Sequence, residues 1–460
     1  PPDSPLPGAL DNVHRGVRGL ELRRGGEVAR YSPTWMLATN RSFARVLELF
    51  AEARDLEDLA GVEASVFDAE QFLVLLGDGG VRARRLFRGN ETVRAEDVDA
   101  ASVAATARRL GDWLARAVHP DGRMTYQWFP SRGEESQGDN TVRQWMATAA
   151  LGRYAAWRDD ERVWALTRRN VARNLDAYYT EQLGLGLIEE GPDKVKLGAV
   201  ALAGRALAEH PDRPRLAPVI DALEATTVHL AEPDGSFRTW FRPADRDDQH
   251  NFYPGEALYF WAHRYAERRD PATLERLMRA FRFYRGWHLD PANRNPAFVP
   301  WHTQAYVETW RHTRSDELAT FVFEMNDWLL DMQQWDSAPY PDLRGRFYDP
   351  DRPGYGPPHA SATGVYLEGL ADAFWLAREV GDDGRAERYR VALVRGIRSV
   401  MQLEFADDAD LYYVSDRARV RGGVRTEAYD NRIRVDNVQH NLMALLKVLE
   451  RFGPADYRPS

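Results

Sequence analysis

From about Ala100 onward, apolar residues fall at i, i+3, i+4 and i+7 in one window after another, predicting a run of roughly twelve helices. The windows are of two kinds. One kind is amphipathic with a charged outer side: "ASVAATARRLGDWLARAV", "ERVWALTRRNVARNLDAYYTEQL", "RPRLAPVIDALEATTVHLAE", "DPATLERLMRAFRFYRGW", "SDELATFVFEMNDWLLDMQQW" and "DGRAERYRVALVRGIRSVMQLEF". Such helices keep one face in water. The other kind is rich in Ala, Gly and aromatics and carries little charge: "TVRQWMATAALGRYAAW", "VKLGAVALAGRALAEH", "YPGEALYFWAHRYAE", "WHTQAYVETWRHT", "ASATGVYLEGLADAFWLA" and "DNVQHNLMALLKVLE". These are expected to be buried nearly all round, with small residues that let backbones approach.

The two kinds alternate strictly. After each uncharged helix the turn is short, as in "WRDDERV", "EHPDRPR" and "EVGDDGR", the usual length between antiparallel neighbours. After each charged helix the connection is far longer, roughly 10 to 28 residues, more than a plain link needs. Two of these connections repeat one order of parts: "DGRMTYQWFPSRGEESQGDNTVRQWM" and "DGSFRTWFRPADRDDQHNFYPGEALYFW". All the elaborate loops therefore lie at one end of the helices. This pattern, from Asp99 to Glu450, resembles the six-hairpin glycosidase superfamily, whose (α/α)6 toroid has an inner and an outer ring of helices and a funnel at the inner N-termini. The resemblance implies a mainly α fold, with a toroid domain over residues 99–460 that acts on carbohydrate in the funnel. A helical repeat solenoid is the competing architecture, but its repeats are more regular.

Residues 1–98 read as a small α+β module. "VRGLELRRGGEVARYSPTW" predicts two strands around "RGG", "SFARVLELFAEARDL" a helix, and "ASVFDAEQFLVLLGDGGVRARRLF" strands turning at Gly77 to Gly80. With "SPTW" before the helix and "VFDAEQF" after it, the module is similar to the AMME-syndrome-candidate type domain. No function is assigned from that similarity, and packing against the toroid is the expected role.

Composition narrows the chemistry. With 44% hydrophobic residues over 460, the chain can build large cores without staples, and having no Cys it has neither disulfides nor thiolate chemistry. A net charge of -9 argues against a nucleic-acid partner. No apolar run is long enough to span a bilayer. The start "PPDSPLPG" lacks Met, which fits a removed export signal, a removed lipid-anchor region or a trimmed chain, and an exported location is favoured over a cytoplasmic one. The histidines are scattered singly, and no glycine-rich phosphate loop follows a strand, so neither a metal nor another cofactor is expected. Oligomeric state is not legible.

The candidate acid is Glu256, in the first turn of a helix after "YPG". The bland alternative is a carboxylate that only complements the helix dipole. Glu190 or Asp139 is the expected second carboxylate, since ordinary glycoside hydrolysis uses two. Asp139, Asp193 and Asp436 each precede an uncharged helix and read first as N-caps. Aligning the helices by their small residues puts Gln144, Glu256, Gln304, Gly364 and His440 at similar depth, with Gln439 beside them. Tyr126, Trp128, Trp240 and Tyr253 are the aromatics expected to face sugar rings. A second constellation, His250, Asn251, Tyr253, His302, His359 and His440 with Arg143 and Arg434, suits proton abstraction beside a uronate carboxylate. The last loop, "SDRARVRGGVRTEAYDNRIRV", carries a run of Arg suited to an anionic polymer. Three readings stay open: a glycoside hydrolase on an oligo- or polysaccharide, a lyase or epimerase on a uronate polymer, and a non-catalytic toroid that binds glycan or peptide.

Overall fold

The computed structural model describes residues 6–77 and 80–458. Its first part contains β1 (Arg18–Arg24), β2 (Glu27–Tyr31), α1 (Pro33–Ala38), α2 (Phe43–Glu52), β3 (Glu63–Asp68), β4 (Gln71–Gly77) and β5 (Gly80–Leu86). Strands β2, β1 and β3 form one antiparallel sheet, while β4 and β5 pair with each other alone. Leu20 and Leu22 of β1 pack with Met36, Phe43, Val46 and Phe50 into a small core. The turn between β4 and β5 falls partly outside the described residues.

The remainder holds twelve long helices: α3 (Ala100–Ala117), α4 (Thr141–Arg158), α5 (Glu161–Tyr178), α6 (Leu197–Ala208), α7 (Arg213–His229), α8 (Tyr253–Arg268), α9 (Pro271–Leu289), α10 (Phe298–Thr313), α11 (Asp316–Leu330), α12 (Ala360–Glu379), α13 (Asp383–Leu403) and α14 (Val435–Arg451). The even-numbered helices form a closed inner ring, α4 against α6, α6 against α8, and so on until α14 returns to α4. Each packs outward on the next odd-numbered helix, and α14 packs on α3. The inner helices are those with little charge: every residue of α6 is buried, and so are Glu256 to Trp261 in α8. Among the described residues, no helix is long and apolar enough to cross a membrane.

The short turns reverse the chain through left-handed residues at Asp159, Arg269 and Arg314 (φ 51°, 54° and 54°). The long connections all reach the opposite end, where small strands tie four of the six together in two groups. The connection before α6 carries β7 (Val195–Lys196), which pairs with β8 (Trp240–Arg242) before α8. The connections before α4 and α14 share a four-stranded sheet.

Polar contacts join the first part to these loops. Arg88 donates from Nε to Asp342 Oδ2 at 2.6 Å, with both side chains buried, and Asn90 Nδ2 donates to Gln402 O at 3.1 Å. Asn40 Nδ2 donates to Asp430 at 3.0 Å, and Asn431 Nδ2 to Leu37 O at 3.1 Å.

Candidate active site

The inner N-termini open on a cavity of about 460 Å³. Three carboxylates reach its wall: Glu190, Glu256 and Asp436. Lys194, Lys196, Arg143, Arg246 and Arg434 reach it too, together with His359 and His440. Trp240, Tyr253, Trp301, Tyr355 and Tyr366 supply the aromatic surface.

Glu256 stands in the first turn of α8, where Pro254 is tolerated because its missing N–H has no helical partner to lose. It is 2% exposed, and its Oε2 is sealed with no hydrogen-bond partner. Gly198 of α6 makes this possible, since a Cβ there would collide with Glu256 Oε2 and the Tyr253 ring. Burial raises the Glu256 carboxyl from the ordinary 4.5 to about 8, against a smaller downward pull from Lys196. Glu256 is therefore a neutral acid at pH 7.

The other two carboxylates are held ionised. Burial works to raise Glu190, but the Lys196 ammonium and the Thr141 donors outweigh it and the carboxyl ends below its ordinary range. Lys196 Nζ lies 2.7 Å from Glu190 Oε2, and Thr141 donates to the same oxygen from N and Oγ1 at 3.2 and 3.1 Å. Among the described residues, Glu190 Oε1 takes no hydrogen bond. Asp436 is buried, which alone would raise it, yet two guanidiniums bring it below its ordinary range. Arg143 Nε reaches Oδ2 at 2.7 Å and Arg434 Nε reaches Oδ1 at 2.5 Å. Both oxygens of Asp436 are thus committed, whereas Glu190 keeps one free.

His440 packs edge-on to Trp301 and takes Glu368 Oε1 at 2.6 Å on its Nδ1. Glu368 is fully buried. Trp240 has little exposure, donates from Nε1 to Asp248 at 2.6 Å and lies under the Arg246 guanidinium at 3.9 Å. His359 sits 3.3 Å from Glu427, and burial pushes the Tyr253 hydroxyl upward, reinforced by Glu256.

Several expected site residues stand elsewhere. Asp139 is exposed outside the cavity wall, its carboxylate taken by the Tyr178 hydroxyl and by Gln144 Nε2 at 2.7 Å. Asn140, not Asp139, caps α4, accepting Arg143 N at 3.1 Å. Asp193 lies in the loop before Lys196, and Asp436 lies inside the first turn of α14, so neither is an N-cap. His302 and Gln304 are buried below the cavity because α10 starts at Phe298, a turn earlier than "WHTQ" suggests, with Pro300 still in its first turn. The His302 ring stacks on Phe298 at 3.5 Å, and burial holds it well below its ordinary pKa. Gln304 accepts Lys447 Nζ at 2.7 Å. Gln144 is buried against Met124 O, and Gln439 is fully buried in α14. Tyr126 accepts Arg143 behind the wall, and Trp128 lies on β6 (Gln127–Phe129) under Arg419. His250 pairs with Asp247 at 2.5 Å, and Asn251 faces a neighbouring groove.

The Arg run of the last loop is mostly spent on the protein itself. Arg425 is buried beside Asp410, Arg432 pairs with Asp430, and Arg419 and Arg421 donate to backbone carbonyls. Only Arg434 of that run reaches the cavity. Two further aromatics of the long connections also turn inward: Phe347 is a core residue and the Tyr413 hydroxyl is sealed. Sequence reasoning missed Lys194 and Lys196, although "PDKVK" stands directly before an inner helix, and it missed Trp301 and Tyr366, which read as packing.

No family model and no curated protein sequence matches this chain. Solved structures do. A heparin-specific unsaturated glucuronyl hydrolase superposes with a TM-score of 0.54 at 11% identity, over 76% of this chain and 97% of that one. The GH76A α-1,6-mannanase of Salegentibacter sp. HEL1_6 gives 0.55 at 12%, over 75% and 98%. A family 76 glycoside hydrolase from a bovine Bacteroides thetaiotaomicron strain gives 0.55 at 10%, over 94% and 93%. At such identities the likeness is one of architecture: the chain shares the (α/α)6 toroid fold of these structures.

Proposed function

We propose that this protein is a glycoside hydrolase acting on an acidic oligo- or polysaccharide bound in the funnel. The observation that carries the reading is a neutral, buried Glu256 sharing one cavity with the ionised Glu190. Hydrolysis of a glycosidic bond needs that division of labour: one carboxyl protonates the leaving oxygen, and the other activates water or attacks the anomeric carbon. Glu256 is the acid. Glu190, with Oε1 unoccupied, is the base or nucleophile, and Asp436 holds Arg143 and Arg434 in place. Five cations face two ionised carboxylates around the cavity, which favours a substrate carrying negative charge. Tyr253 and Tyr355 offer ring surface to the apolar faces of sugars, while Trp240 supports Arg246 from below. The fold neighbours named for glycoside-cleaving enzymes support the same class. Residues 1–98 form a module that buttresses the mouth, and residues 99–460 carry the chemistry.

The second reading is elimination or epimerisation at a uronate, favoured by the buried Glu368 that orients His440 on the cavity wall. Incubation with a panel of acidic and neutral polysaccharides, reading new reducing ends and unsaturated-uronate absorbance, decides between them. Reducing ends without that absorbance support hydrolysis. Both signals together support elimination. Binding without either leaves epimerisation, read by deuterium uptake from solvent at the uronate C5, or, where that is absent too, a glycan-binding toroid.

A further inference from the structure

A second open groove, of about 480 Å³, lies beside the cavity. It forms where the approach to α8, the turn from α9 to α10 and the strap before α12 meet. Tyr355 lines both spaces, and the chain neighbours Asn251 and Phe252 divide between them, Asn251 to the groove and Phe252 to the cavity. The two spaces therefore share a wall.

The groove's chemistry differs from a plain solvent cleft. Among the described residues, no carboxylate lines it, while Arg294 and Arg352 do. Arg294 is fixed over the Trp328 ring at 4.3 Å. Arg352 donates to the Tyr355 hydroxyl at 3.0 Å and is only loosely countered by Asp349, at 3.8 Å. Trp287 adds a half-buried indole stacked on Phe298 at 5.9 Å. Asn251 Oδ1 and Arg294 Nε are buried without a partner among the described residues. Ring edge, carboxamides and guanidiniums together suit a sugar bearing an acidic group.

We infer that this groove is a secondary subsite for an acidic sugar unit, carboxylated or sulfated, of the same glycan chain whose neighbouring unit occupies the cavity. The inference rests on the reading of the cavity as a glycosidase site for an acidic glycan. It makes the substrate a chain longer than the unit being cleaved, gripped on both sides of Tyr355.

The test uses the full chain with Asn251→Ala and Arg352→Ala, singly and together, and leaves Trp287 untouched because its ring also packs on Phe298. Native gels containing polygalacturonate, dextran sulfate or neutral dextran report affinity, and acidic oligosaccharides of increasing length report kcat/KM. The double variant is expected to lose fivefold or more of its retention on one polyanion, steepest at low salt. Its kcat/KM on long oligosaccharides should fall to the value for the shortest, which itself stays unchanged. No loss on either polyanion, or an equal loss on neutral dextran and on the shortest substrate, overturns the subsite. If wild type turns over nothing while the double variant still loses polyanion retention, the subsite stands and the hydrolase reading fails.

Discussion

Replacing Glu256 with Gln tests the site through its proton. In the folded protein this carboxyl titrates at about 8, against 4.5 in the ordinary case. Between those values the folded chain holds a proton that the unfolded chain has released, so wild-type stability falls as pH rises. The slope is about 1.4 kcal/mol per pH unit, or about 3 kcal/mol by pH 7. Gln has nothing to release, so the variant should gain on wild type steadily between pH 4.5 and 8 and level off on either side. For a chain of this length, about 3 kcal/mol corresponds to roughly 3–6 °C in melting temperature. Paired melts at pH 5, 6, 7 and 8.5 measure it. On the same preparation, turnover should drop by about 10²-fold or more, and the wild-type alkaline limb near pH 8 should be absent from the residual rate. A simple helix-terminus carboxylate gives the opposite sign: the Gln variant would be less stable at pH 7 by about 0.3–1 kcal/mol and still active. A melting difference that stays flat with pH would refute the protonated-acid argument.

Lys196→Met removes the cation that lowers both Glu190 and Glu256, so both limbs of the pH–rate profile should move to higher pH; an unmoved profile rejects the assignment of the two carboxyls. Gly198→Ala should cost about 1–3 kcal/mol by overpacking and lower turnover more than tenfold by displacing Glu256. Gly204→Ala, in the same helix as Gly198, meets the Phe260 ring of α8 and should destabilise without changing kcat per folded molecule, as read by active-fraction titration. Arg88→Met leaves Asp342 buried and unpaired, which should cost about 3–5 kcal/mol; a melting temperature within a degree of wild type would contradict that burial.

The rings were legible because burial writes itself into composition. "VKLGAVALAGRALAEH" has no charged face to give to water, and α6 is buried throughout. The mouth was legible less evenly. Glu256, His440, Arg434 and Trp240 were singled out in the sequence and line the cavity, since a helix start or a loop aromatic has few other reasons to stand there. His302 and Gln304 were misplaced in depth because one turn of helix separates rim from core, and Pro300 masks where α10 begins. The Arg run misled for another reason: charge along the chain does not reveal which guanidiniums are already spent on carbonyls and carboxylates, as Arg425 and Arg419 are. Glu368 gave no signal at all, being one acid among buried residues of α12 until His440 is placed against it.

The ring closes through α14, which packs on α3 and α4, the first outer and first inner helices of the toroid. A chain emerging from the ribosome therefore makes the opening helices of the ring long before the segment that covers them. Their apolar faces stay uncovered until Val435–Arg451 arrives, so the toroid is a late-committing fold. Loss of that last helix would not shorten the barrel but leave it an open crescent, with the faces of α3 and α4 that it covers open to water.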